Sequence, residues 1–363
     1  MMANPEFVKL VRPDPIVRAD AVANVAFNRR DPERMRRFLE DFGFRRIDST
    51  GPTTYFRGHG EAPYLVAVTE SSEDGLAGFA FAAGEADDLP RLAAETGRTI
   101  ETIDAVGGGQ RVRLSDPEGL QVDLVHGSKA ARPIAGESSG RPVNSPLRKT
   151  RVNTTVRSTT QPSPLFKMGH LVLQRADFER AAQWYMRHFG LIPTDVQCLA
   201  DGRPALGFFR LDRGGAPADH HSLALLCGPA AKLLHVSFET LDLESVGQGH
   251  QYLRAAGWNH YWGIGRHILG SQVFDYWKDP AGDEWEHYAD GDVMTAEYPT
   301  GYSLLTRGSL WAWGDDLPDD LRPPISVDDV EKIHAAGGFG SMDLQTVKGL
   351  IGALSVQPRP WMQ

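Results

Sequence analysis

Glu286 is a carboxylate set among aromatic residues. It lies in the stretch from residue 260 to 290, HYWGIGRHILGSQVFDYWKDPAGDEWEHYAD, which reads as a loop, a strand, a tight turn and a second strand. Asp279-Pro280-Ala281-Gly282 has the residues of a type I turn: Asp bonds back to the backbone, Pro presets φ, and Gly relieves the exit. Alternation places Phe274 and Tyr276 on one face of the incoming strand. On the outgoing strand Glu284, Glu286 and Tyr288 share a face, opposite Trp285 and His287. An unpaired carboxylate in such surroundings is costly, and a metal ion would compensate it.

The elements that must position this carboxylate form a repeat. In the first half, residues 20–27 read as a strand, followed by Asp31 as N-cap, Pro32 at the first helical position, and Met35, Phe38, Leu39 and Phe42 at helical spacing up to Gly43. Strands follow near 53–57 and 64–69. The pattern restarts with a strand at 78–82, a helix from Asp88 to Glu95 before Gly97, and strands near 111–114 and 120–125 around Asp116-Pro117-Glu118-Gly119. In the second half, 167–174 is a strand, Asp177 caps a helix ended by Gly190, and strands follow near 205–211 and 221–227. The unit restarts at 233–239, continues with a helix from about Asp242 to Ala256, and closes with the stretch above. DFGF at 41–44 parallels HFGL at 188–191, and the two Asp-Pro-x-Gly turns fall at the same place. Such self-similarity is the mark of an internal duplication.

The halves differ where chemistry is concerned. His170, His235 and Glu286 fall opposite Ala23 or Asn24, Gly78 and Asp123. If paired units pack about a pseudo-two-fold, the two histidines and the carboxylate converge in one cup of sheet. Two His and one carboxylate with open positions form the facial triad of non-haem Fe(II) oxygenases.

The second half resembles the catalytic domain of the type I extradiol ring-cleavage dioxygenases of the vicinal oxygen chelate superfamily. The motif that carries it is Gly265-Arg266-His267, Phe274, Tyr276, Asp279-Pro280, Gly282 and Glu286, and the likeness spans roughly residues 20–290. It implies an α+β fold of four βαβββ modules paired into two such domains. It implies Fe(II), with Mn(II) as the alternative ion, held by His170, His235 and Glu286. It further implies His221 as acid–base residue, with His267 and Tyr276 lining the site of a catechol that reacts with O2. Homoprotocatechuate enzymes carry Arg shortly before the His267 equivalent, where this chain has Trp262; that favours a catechol with an apolar or neutral substituent. His220 is expected on the opposite face of the strand from His221. The alternatives are a glyoxalase-like isomerase, which would want a fourth ligand, and a metal-free small-molecule binding protein of the same superfamily.

Composition sets the frame. The 363 residues, 41% hydrophobic and 23% charged, are ordinary for a globular chain of two domains, and a net charge of −9 argues against nucleic acid or an acidic membrane as partner. The two cysteines, Cys198 and Cys227, form no paired motif, and no run suits a signal peptide or a membrane span, so a cytoplasmic protein is expected. The expected divisions are residues 1–130 as a non-catalytic domain, 131–164 as a Ser/Thr/Pro/Gly-rich linker, 165–291 as the catalytic domain, and 292–363 as a tail and candidate lid. A homo-oligomer is expected. His188, His250 and His287 read as structural. Gly107–Gly109 is no phosphate loop, since neither a helix nor Lys-Ser/Thr follows.

Overall fold

The computed structural model describes residues 6–134, 140–318 and 327–355. Its first unit is β1 (Ala19–Arg29), α1 (Pro32–Phe42), β2 (Arg45–Thr50), β3 (Thr53–Arg57) and β4 (Val66–Glu70). The second is β5 (Gly75–Ala83), α2 (Asp88–Thr96), β6 (Ile100–Thr102), β7 (Gln110–Ser115) and β8 (Gln121–His126). The third is β9 (Leu165–Arg175), α3 (Phe178–Phe189), β10 (Ile192–Cys198), β11 (Pro204–Arg210), a short β12 (Ala218–Asp219) and β13 (Leu223–Cys227). The fourth is β14 (Lys232–Thr240), α4 (Leu243–Ala255), β15 (Asn259–His267), β16 (Val273–Lys278) and β17 (Glu284–Ala289). Beyond it lie β18 (Val293–Met294), β19 (Gly301–Leu304), β20 (Trp311–Gly314), α5 (Val327–Ala335) and α6 (Leu344–Ser355).

The helices end where their capping chemistry says they should. Asp31, Asp177 and Asp242 each accept a bond from the backbone N–H three residues on, and Gly190 ends α3 at a φ of +71° that a side chain would resist. Each helix packs one apolar face inward, as Met35, Phe38, Leu39 and Phe42 do on α1.

Units one and two share one sheet in the order β2-β3-β4-β1-β5-β8-β7-β6. Units three and four repeat it as β10-β11-β13-β9-β14-β17-β16-β15, with β19 added at one edge and β20 at the other. In both, the first strands of the paired units run antiparallel at the centre, β1 beside β5 and β9 beside β14. Residues after Asp290 are thus drawn into the second sheet at both edges before the α5–α6 pair.

One hydrophobic core runs through both halves. Phe42 and Phe38 of the first half pack on Trp285 of the second, and Phe79 and Phe81 pack on Tyr185 and Phe189. The two Asp-Pro-x-Gly turns are clamped reciprocally. Arg29, at the end of β1, donates to Asp279 at 2.7 Å and Asp283 at 2.6 Å, while Arg175, at the end of β9, donates to Asp116 at 2.8 Å. Trp285 Nε1 adds a bond to Asp279 and the Tyr185 hydroxyl one to Asp116. Both arginines are buried, and each aspartate keeps its other oxygen for its own turn.

Candidate active site

The central strands of the second sheet carry the three candidate ligands. His170 lies in the middle of β9, where Ser237 of β14 is its register partner, and Ser237 also faces Glu286 of β17. The first sheet repeats this lattice with Asn24, Ala80 and Asp123. Register therefore assigns Asn24, not Ala23, as the counterpart of His170, and Gly78, paired with Gln121 as His235 is with Glu284, as that of His235.

The three side chains meet. His170 Nε2 lies 3.2 Å from His235 Nε2 and 3.1 Å from Glu286 Oε2, and His235 Nε2 is 3.5 Å from the same oxygen. These are edge lengths suited to ligands around one small cation. Glu286 is fully buried, and despite the close nitrogens neither of its oxygens completes a well-directed hydrogen bond. A buried carboxylate without such partners is costly, whereas three donor atoms converging on one point suit a bound divalent ion. The donor set thus fits a mononuclear metal. Burial would raise the carboxyl of Glu286, but the adjacent His170 holds it well below the usual range. Burial pushes His235 down to about 3, so it presents a lone pair.

Gly169 explains a close approach beside His170. A Cβ there would lie 2.4 Å from the Tyr288 ring, which packs over the backbone next to His170.

His221 joins the cluster from a bend rather than from a strand. β13 begins only at Leu223, because β12 pairs with β18 and the His220 N–H donates to the Asp292 carbonyl, pulling the chain aside. The expectation that His220 faces away on the same strand is therefore corrected. Its Nδ1 is 3.0 Å from Nδ1 of His221, and its Nε2 is 2.8 Å from Asp195 Oδ2. A carboxylate only accepts, so His220 carries its proton on Nε2 and offers the Nδ1 lone pair. His221 then donates from Nδ1, and its Nε2 is the unprotonated nitrogen of a ring lining the cavity. That ring packs 4.1 Å from His170. Burial, with His170 and His220 alongside, holds His221 well below the ordinary imidazole range.

His267 and Tyr276 stand across the cavity. His267 Nδ1 donates to the Leu310 carbonyl at 2.8 Å, so Nε2 accepts from the Tyr276 hydroxyl at 3.0 Å. Tyr276 is the cross-strand partner of Glu286, and burial raises its hydroxyl well above the usual range. Trp262 stacks on Tyr276 with centroids 5.4 Å apart. The cavity, about 550 Å³, is walled by Leu206, Phe208, Leu226 and Trp262 and roofed by Leu310, Leu350 and Ile351.

Five of the six residues singled out in the sequence line one cavity, and the sixth, Glu286, is buried behind it against His170 and His235. Asp195 and the Leu310 carbonyl were not anticipated. Asp195 was hidden by its place on an unrecognised strand, and a backbone carbonyl leaves no mark in composition. In the first half, Asp123 meets Arg111 at 3.5 Å and Arg113 at 3.4 Å instead of histidines.

Residues 167–287 match the family model described as Glyoxalase/Bleomycin resistance protein/Dioxygenase superfamily. The chain is 30% identical over 254 residues to metapyrocatechase 2 of Cupriavidus necator, covering 69% of this chain and 75% of that one. It belongs to the extradiol dioxygenases of that superfamily. Solved structures agree on the fold. The homoprotocatechuate 2,3-dioxygenase of Brevibacterium fuscum, in an anaerobic complex with 3,4-dihydroxyphenylacetate, superposes with a TM-score of 0.69 at 18% identity, over 86% of this chain and 94% of that one. An Mn(II)-bound glyoxalase from Novosphingobium aromaticivorans also gives 0.69, at 19% identity over 85% and 96%. The extradiol dioxygenase assignment thus rests on the curated relative, and the architecture on both comparisons. Among the described residues no helix is long and apolar enough to cross a membrane.

Proposed function

We propose that this chain cleaves a catechol beside its diol, the extradiol or meta cleavage, using O2 at a single Fe(II) held by His170, His235 and Glu286. The observation that carries the reading is the convergence of those three side chains, with His170 and His235 lining a cavity and Glu286 buried behind them, while His221, His267 and Tyr276 line the same cavity. Mn(II) is the alternative ion for the same donors. When bound, the ion acts as Lewis acid and template, holding both reactants in one geometry.

The protein supplies the rest. The unprotonated Nε2 of His221 takes a proton from a catechol hydroxyl and later returns one. Tyr276, whose O–H is committed to His267, keeps its oxygen lone pairs for a substrate hydroxyl. The apolar walls exclude water and accept an alkyl or aryl substituent beside the ring. Trp262 fills the place where an acidic side chain would want a cation, and its indole N–H is already given to the Asp315 carbonyl.

The same reading divides the chain into 1–130 as scaffold, 131–164 as connection, 165–291 as catalytic domain and 292–363 as cover. Leu310, Leu350 and Ile351 over the cavity support the last assignment. A homo-oligomer working in the cytoplasm completes the proposal.

The test is anaerobic Fe(II) reconstitution, then air and a series of catechols bearing hydrogen, methyl, phenyl or carboxymethyl groups. A yellow ring-opened product, formed fastest from the apolar-substituted members, is expected. Iron uptake at the triad with no ring-opened product from any catechol would overturn the activity; preference for the carboxymethyl member would overturn the specificity.

A further inference from the structure

On β16, Asp275 alternates with Phe274 and Tyr276, so its side chain lies on the face of the catalytic sheet opposite the cavity, under α4. It is fully buried. Nδ1 of His250, on α4, is 2.9 Å from Asp275 Oδ1, and Nε2 of His260, on β15, is 3.0 Å from that same oxygen. The other oxygen, Oδ2, is occupied by Trp277 Nε1 at 2.6 Å. We propose that His250, His260 and Asp275 form a second divalent-metal site, of the class that takes Zn²⁺.

Three features favour this over a plain hydrogen-bonded cluster. The first is charge: among the described residues Asp275 has no lysine or arginine as ion-pair partner, only these two histidines, and a divalent ion would balance its buried carboxylate. The second is convergence. Both nitrogens aim at one oxygen instead of dividing between two, and all three donor atoms lie within 4.8 Å of one another. Ligands about 2.0–2.1 Å from a tetrahedral Zn²⁺ lie roughly 3.3 Å apart, so the two N–O edges need to open only slightly.

The third is support. The donors come from a helix and two paired strands, and the Trp277 bond to Oδ2 is the kind of outer contact that orients a ligating carboxylate. The histidine rings pack edge-to-face 4.8 Å apart, and His260 packs on Trp277 at the same distance. The imidazoles are 16% and 26% exposed, so an ion and a water can reach the open side. For an ion to enter, each Asp-facing nitrogen must present its lone pair. A neutral imidazole does so by moving its proton to the other ring nitrogen, and an imidazolium by releasing one to solvent. Two imidazoles and one carboxylate suit Zn²⁺.

The experiment is calorimetric titration of the chelator-stripped full chain with Zn²⁺ alone, with circular dichroism on every variant. Two equivalents are expected for the unaltered protein. His260→Gln keeps an amide donor for Asp275, and so its fold, but should weaken one equivalent by at least about 10–100-fold, the usual cost of disturbing even a ligand's support. His250→Gln should remove the same equivalent, and His235→Ala the other. A single equivalent that survives in His260→Gln and vanishes in His235→Ala would overturn the proposal, leaving a hydrogen-bonded cluster only. Two equivalents undiminished in both His260→Gln and His250→Gln would overturn it as well. The outcome is independent of ring cleavage, because no catechol is present.

Discussion

Replacing Asp195 by Asn tests whether the tautomer of His221 is set from a distance. Asp195 lies outside the cavity lining and touches none of the three ligands, but its carboxylate is 2.8 Å from His220 Nε2. Asn can turn its amide NH2 toward that nitrogen. The proton of His220 then moves to Nδ1, which must donate to His221, and Nε2 of His221 becomes an N–H that cannot act as base. A hydrogen bond to a charged group contributes about 1.5–3 kcal/mol, and 1.4 kcal/mol is a factor of ten, so kcat should fall roughly 10–100-fold. Iron content and anaerobic catechol affinity should hold, because neither ligands nor cavity walls change. Oxygen uptake under saturating catechol, with iron measured on the same samples, gives the numbers. Asp195→Glu should recover part of the rate, and His220→Phe should lose at least as much as Asp195→Asn. A kcat within about twofold of the parent across the pH range would refute the relay, and so would a rate loss accounted for by lost iron.

Four further outcomes follow from the same geometry. His170→Ala, His235→Ala and Glu286→Ala should each stay folded by circular dichroism, lose iron by metal analysis and lose activity. Asp123→Ala should leave iron per chain unchanged, since its partners are Arg111 and Arg113; a proportional loss would mean that the first half holds metal too. Arg29→Met should cost about 3–5 kcal/mol in denaturant unfolding, because it strands the buried carboxylate of Asp279. Burial holds His287 down to about 4, so the unfolded chain takes up a proton that the native one refuses. The contribution of His287 to stability should therefore be full above about pH 6.5 and fall by roughly 3 kcal/mol as pH drops toward 4, and His287→Gln should make that limb of the acid-unfolding curve shallower.

Much of the fold was legible because its signals are local. Asp31, Asp177 and Asp242 announce their helices, and Gly43, Gly97 and Gly190 close theirs. The meeting of His170, His235 and Glu286 was legible through the repeat, since the two histidines occupy equivalent strands and only the second half carries the set. What escaped was non-local. Arg29 and Arg175 look like surface arginines at strand ends, and only the packing of one half on the other buries them against the opposite turn. The bend at His220 and His221 follows from the pairing of Ala218–Asp219 with residues 293–294, more than seventy positions away, which a local alternation rule cannot see. A histidine pair on a helix and a strand, His250 and His260, gave no periodic sign of meeting over Asp275.

The reciprocal arginine clamps bear on how such a chain can change. Each half supplies the cation that neutralises the other's turn, and the aromatic residues between them belong to neither alone. The cup of the first sheet holds Asn24, Gly78 and Asp123 where the second holds its candidate ligands, and none of the three takes part in the clamps. Substitutions at Arg29, Asp116, Arg175 or Asp279 instead strand a buried charge in the opposite half. Change in such a chain therefore meets a tolerant face and a constrained one within the same sheet.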